Sequence, residues 1–171
     1  MEGCSIKELS RQRSITQDPV FRYANEVASA LKHLHGESII WNGCCVDHVL
    51  VNARGQLRLM NFGLSQDESG DSAVDFRHVK LGRFRWMAPE SFRDLQYSPK
   101  TDIWAFDCFV VEILTGEDLH CDCQDVRQVT EKVARAQDPR PVVLYPGETV
   151  IKAIPQILGP FSQAHSKHTV S

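Results

Sequence analysis

Eight consecutive residues, Trp41-Asn42-Gly43-Cys44-Cys45-Val46-Asp47-His48, gather an amide, two thiols, a carboxylate and an imidazole between the apolar runs Ile39-Ile40 and Val49-Leu50-Val51. Asn61-Phe62-Gly63 follows, and later Arg85-Trp86-Met87-Ala88-Pro89-Glu90. Taken singly, none of these residues has to do chemistry. Gly43 reads as a turn glycine, Trp41 as a core aromatic and Asn61 as a capping residue. Cys44 and Cys45 stand in a loop where nothing adjacent in sequence lowers a thiol pKa. His120-Cys121-Asp122-Cys123 offers possible metal donors, but no second pair stands at zinc-like spacing, so no metal is expected. Ser65, Ser69 and Ser72 could accept phosphate in a polar stretch.

These residues are set among elements whose periods are plain. Val20, Ala24, Val27, Ala28, Leu31 and Leu34 recur at helical spacing, which predicts a helix over Pro19–His35 that Gly36 stops. Ser38–Ile40 reads as a short strand. Val49–Val51 and Leu57–Met60 read as a hairpin around Asn52-Ala53-Arg54-Gly55. Gln66–Asp75 is polar and predicts an exposed loop. Asp102–Leu114 is apolar on most faces, as suits a helix in the middle of a domain. Val126–Ala136 is a more amphipathic helix. Pro139, Pro141 and Pro146 mark an irregular connection. A last helix could begin over Glu148–Ile154, where Pro155 would break it, and the polar end from Phe161 onward is expected to fray.

The chain of 171 residues fits one domain. A net charge of -3 gives no electrostatic case for nucleic acid. No run is apolar enough for a membrane span, and Met1–Ser5 is not followed by the apolar stretch of a signal peptide. The six cysteines include an adjacent pair in an otherwise ordinary composition, which points to reduced thiols and a cytoplasmic location.

Order and separation of the motifs carry more than any of them singly. The chain resembles the protein kinase family: a catalytic loop over residues 39–52, Asn61-Phe62-Gly63 where an Asp-Phe-Gly would stand, and an intact Ala-Pro-Glu at Ala88-Pro89-Glu90. Arg85-Trp86-Met87 and Tyr97-Ser98-Pro99-Lys100-Thr101-Asp102-Ile103-Trp104-Ala105-Phe106 are similar to the tyrosine-kinase form of those segments. The resemblance implies a mainly α fold with small β-hairpins: the C-terminal lobe of a kinase-like domain over residues 1–155, then a disordered tail over 156–171. It places the N-lobe before Met1 and leaves the last helices truncated.

What the resemblance implies about chemistry is mostly loss. Phosphoryl transfer is positioning and charge neutralisation. The base position aligns with Gly43, which has no side chain, and the preceding arginine with Asn42, which has no charge. Trp41 stands at the histidine and suits packing. The magnesium-binding asparagine aligns with His48, a poor ligand for a cation that prefers oxygen, and the metal-binding aspartate with Asn61. Asp47 would enter the magnesium position only by a one-residue slip that breaks the Val49-Leu50-Val51 match. Trp41 and Phe62 resemble stacking members of a hydrophobic column. Leu50 resembles the floor beneath an adenine ring, although plain core suits it better. Asp102 resembles the aspartate that fixes the catalytic loop by accepting backbone N–H bonds. Gly63 completes its motif, and Glu90 would lack its usual arginine, so it should be solvated or paired with another base.

The chain therefore reads as a pseudokinase-type domain that works by binding proteins, possible partners being another kinase or a separate N-lobe, with no cofactor expected. The alternative is a weakly active or ATP-binding tyrosine-kinase-like protein, for which ATP and Mg²⁺ would be cofactors. If its flanking parts are absent, Ile103, Phe106, Phe109 and Val110 should form an exposed apolar patch.

Overall fold

The computed structural model describes residues 4–11, 17–68 and 81–135. In chain order the elements are β1 (Cys4–Ser5), α1 (Ile6–Arg11), α2 (Gln17–Gly36), β2 (Ile39–Ile40), β3 (Val49–Val51), β4 (Leu57–Leu59), β5 (Gln66–Asp67), α3 (Pro89–Arg93), α4 (Pro99–Thr115) and α5 (Val126–Arg135). Two 3₁₀ turns, Val46–His48 and Leu81–Trp86, lead into β3 and towards α3.

The apolar faces predicted for two helices meet in one core. Val20, Tyr23, Ala24, Val27, Ala28 and Leu31 of α2 are buried against α4, where Phe106, Phe109, Val110 and Val111 are equally enclosed. Burying aliphatic and aromatic surface is the main favourable term in such packing. The apolar patch expected on α4 does not form. Phe106, Phe109 and Val110 are covered by this chain's own α1 and α2, and Ile103 is half-buried.

Helix ends depart from the apolar periodicity because first turns are set by backbone chemistry. α4 begins at Pro99, not Asp102: proline suits the first helical position, where its missing N–H has no partner to lose. The Ser98 N–H is held by Thr101 Oγ1 at 3.2 Å. α4 ends on Gly116, whose φ of 71° is left-handed and whose N–H returns to Glu112 O at 2.8 Å. α2 starts two residues before Pro19, which its first turn tolerates.

Two small antiparallel sheets hold the loops. In the order β1-β3-β4, Cys4 and Ser5 pair with Val51 and Leu50, and Val49, Leu50 and Val51 pair with Leu59, Arg58 and Leu57. The hairpin turn is fixed by Asn52 Oδ1, which accepts N–H bonds from Arg54 at 2.9 Å and Gln56 at 3.0 Å. The second sheet corrects the loop expected from residue 66. Gln66 and Asp67 pair with Ile40 and Ile39, so the polar side chains hid a strand whose backbone completes the ladder. The rest of that loop from residue 69, the prolines from 139, the late helix and the tail over 156–171 lie outside the described residues.

Candidate functional site

The site is built on a carboxylate that an apolar helix carries in its first turn. The side chain of Asp102 is fully buried. Its Oδ2 accepts the Trp41 N–H at 2.8 Å and its Oδ1 the Asn42 N–H at 2.8 Å, while His35 Nε2 stands 2.9 Å from Oδ2. Buried backbone donors need acceptors, and here one side chain supplies two of them. Asn42 can bend as it does because asparagine tolerates a left-handed backbone; its φ is 54°. The loop is then tied to the segment after Gly63, with Asn42 Nδ2 donating to Leu64 O at 3.1 Å and Ser65 Oγ to Trp41 O at 3.0 Å.

Trp41 is completely buried. Its indole Nε1 donates to Met60 O at 3.3 Å, and its ring lies 5.7 Å from that of Phe62, tilted by 31°. Phe62 itself is 44% exposed, and Met60 47%. The indole also fills the space beside Gly43: a β-carbon there would lie 2.4 Å from Nε1.

His48 and Asn61 close on each other. Asn61 Nδ2 is 2.8 Å from His48 Nε2, and His48 Nδ1 is 2.7 Å from Gly43 O. A carbonyl only accepts, so Nδ1 carries a hydrogen. Asn61 also has a left-handed backbone, with φ 58°. Asp47, the one acid of the loop, is exposed and turned away to Lys7 Nζ at 3.3 Å. Gly43, His48 and Asn61 thus form a cluster to which no carboxylate contributes among the contacts described.

The remaining expected residues sit around this cluster. Leu50 is half-buried and alternates with Val49 and Val51, which are buried in the core; it therefore points to the opposite face of β3 and is not plain core. Gly63 is exposed. Glu90 is half-buried in the first turn of α3, with no side-chain partner recorded among the described residues.

Two features escaped the sequence reading. Glu112 is buried in α4 and bridges elements: Trp86 Nε1 donates to Oε2 at 2.7 Å, and the Leu119 N–H to Oε1 at 3.0 Å. Burial lifts this carboxyl to about 7, against the pull of those two donors. Its only signal in sequence is a glutamate inside the run Val110-Val111-Glu112-Ile113. The second is Cys45, whose Sγ lies 3.1 Å from His48 Nδ1. The 3₁₀ turn Val46–His48 makes this approach by folding the imidazole back over three residues.

Comparison with known proteins gives a consistent result. Residues 1–149 match the family described as protein tyrosine and serine/threonine kinase. The chain is 32% identical over 117 residues to the serine/threonine-protein kinase SMU1 of Mycosarcoma maydis, covering 68% of this chain and 15% of that protein. It is 29% identical over 117 residues to the serine/threonine-protein kinase STE20 of Yarrowia lipolytica, covering 68% of this chain and 10% of that protein. The kinase MST11 of Pyricularia oryzae is 26% identical over 134 residues, 74% of this chain and 15% of its own length. The chain thus spans a small part of each of these relatives.

Proposed function

The chain belongs to the protein tyrosine and serine/threonine kinase family, and from that premise we propose that it is a pseudokinase-type domain that acts by binding proteins and does not transfer phosphoryl groups. The observation that carries this reading is the Trp41–Gly43 contact. The base position has no side chain, and the space one would use is filled by an indole. Loss of a general base costs roughly 10²–10⁴ in rate. His48 offers a metal no oxygen and Asn61 offers an amide oxygen without a negative charge, which weakens the charge neutralisation on which the rest of the chemistry depends.

The form of Arg85-Trp86-Met87-Ala88-Pro89-Glu90 supports a tyrosine-kinase-like ancestry. Exposed Met60 and Phe62 beside the site give a partner apolar surface to recognise. No disulfide joins any of the six cysteines, which favours a reducing, cytoplasmic setting. Among the described residues no helix is long and apolar enough to cross a membrane.

Radiolabelled ATP with Mg²⁺ or Mn²⁺ tests the reading on the purified chain. The expected result is no transfer above background. Robust transfer that is abolished by Asn61→Ala would overturn it. The second reading, a nucleotide-binding kinase of low activity, rests on the relatives' names as kinases. Thermal-shift titration separates the two, because a ligand at 100 times its Kd stabilises by about 2.7 kcal/mol.

A further inference from the structure

We propose that the free edge of β4, with the groove beside it on α2, is a docking surface for an extended acidic segment of a partner protein, which adds to the sheet as a further strand. This rests on the protein-binding half of the reading above and is independent of whether the chain transfers phosphoryl groups.

The ladder decides which backbone groups face outward. Within its sheet β4 pairs with β3 alone. The Met60 N–H donates to His48 O at 2.9 Å and the Asn52 N–H to Gln56 O at 3.0 Å, so positions 56, 58 and 60 turn their backbone groups towards β3. In an antiparallel pair the residues between them turn theirs away. Leu57 and Leu59 therefore present N–H and C=O on the outer edge. At Leu57 two side chains meet these groups: Glu26 Oε2 accepts the N–H at 3.4 Å, and Arg58 Nη1 donates to the C=O at 3.1 Å. At Leu59 no hydrogen bond to either group is made among the described residues. An open strand edge is a template for another chain, because it offers donors and acceptors at strand spacing.

Beside this edge lies a groove of about 680 Å³, lined by Leu57 and Leu59 and by one face of α2 that carries Asn25, Glu26, Ser29 and Ala30. The two leucines are half-buried and give an added strand an apolar floor. Asn25 and Ser29 are exposed, and the amide of Asn25 both donates and accepts, as a peptide unit does. The three residues of β4 span about 10 Å, so the segment that fits is short.

Charge selects the occupant. Arg22 closes the hairpin end of the groove, its Nη1 donating to Gly55 O at 3.0 Å. Arg54 and Arg58 are exposed on the same hairpin. Glu26 is the one carboxylate in the lining among the described residues, and it is already paired with Arg22 at 3.4 Å. Aspartate or glutamate in the incoming strand meets guanidinium groups, whereas lysine meets its own sign. A second copy pairing through its own β4 would bring another Arg54 and Arg58 against these, and like charges across a ladder oppose pairing.

Titrating a labelled heptapeptide of alternating glutamate and valine into the full chain, read by fluorescence anisotropy, tests the proposal. Binding should saturate below about 1 mM, and hydrogen exchange of the Leu59 amide should slow when the peptide is bound. The same peptide with lysine for glutamate should bind at least about tenfold more weakly. Of two N-methylated forms, blocked at every valine or at every glutamate, one should fail to bind, because only one edge of a strand faces β4. Leu59→Pro removes the outward N–H without touching the ladder to β3 and should weaken binding about fivefold, the worth of one hydrogen bond. Asn25→Ala, at an exposed helix position, should weaken it by a similar factor and guards against misfolding of the proline variant. No saturation by about 1 mM overturns the proposal, as does equal binding of both N-methylated forms. Sedimentation showing a dimer that Leu59→Pro dissolves would assign the edge to a second copy and overturn it too. A chain that binds the peptide and also transfers phosphate would refute the preceding reading and leave this one standing.

Discussion

A β-carbon on Gly43 would lie 2.4 Å from the indole Nε1 of Trp41. Residues 41 and 43 are therefore coupled in space: the ring at 41 requires the absence of a side chain at 43. An acid placed at 43 alone has no room for its side chain, because the Trp41 indole fills that space.

From this contact, Gly43→Asp should destabilise the chain by about 1–3 kcal/mol, the usual range for overpacking a filled interior. Trp41→His in the same chain should recover part of the loss, since the smaller ring frees the space. Urea melts of the two single variants and the double variant measure the coupling. Additive effects would show that the two positions do not meet.

Asp102 should be worth more to the loop than to any chemistry. Asp102→Ala leaves the Trp41 and Asn42 N–H groups without their acceptor, at about 1–3 kcal/mol for each orphaned donor. Amide hydrogen exchange at those two residues should rise well above that of their neighbours. Protection that survives the substitution would assign the loop's shape to something else.

Glu112 should make stability depend on pH in an unusual direction for a carboxylate. Its folded value is about 7, above its ordinary 4.5. The folded chain therefore holds the proton more tightly than the unfolded one, and stability falls as pH rises from 4.5 to about 7, then levels. His120, which burial pushes down, works in the opposite direction, so the informative quantity is the difference between the unaltered chain and Glu112→Gln. That difference should vary across the window and be flat above it. A constant difference would mean that Glu112 does not titrate there.

Gly116 should resist substitution for two reasons at once. Its φ of 71° is a left-handed helix end, and an added β-carbon would lie 3.1 Å from Ser10 O. Gly116→Ala should cost about 1–2 kcal/mol from the backbone conformation alone. A lowered melting temperature by circular dichroism checks this, and an unchanged one would mean that the left-handed conformation at 116 is not retained by the variant.

Sequence by itself determined the helices α2, α4 and α5, the apolar faces of α2 and α4 and the hairpin at Asn52–Gly55. Those follow from local periodicity, turn chemistry and spacing, all of which are properties of neighbouring residues. Only the tertiary structure decided that Gln66 and Asp67 form a strand, since their partners Ile39 and Ile40 lie far back in the chain and polar side chains do not reveal a backbone ladder. It also decided that Trp41 occupies the space beside Gly43, that Asp47 turns to Lys7, that Glu112 is buried against Trp86, and that His48 reaches both Asn61 and Cys45. Each of these depends on side-chain direction and on contacts between distant segments, and excluded volume and burial act through three-dimensional distance, which spacing along a chain does not contain.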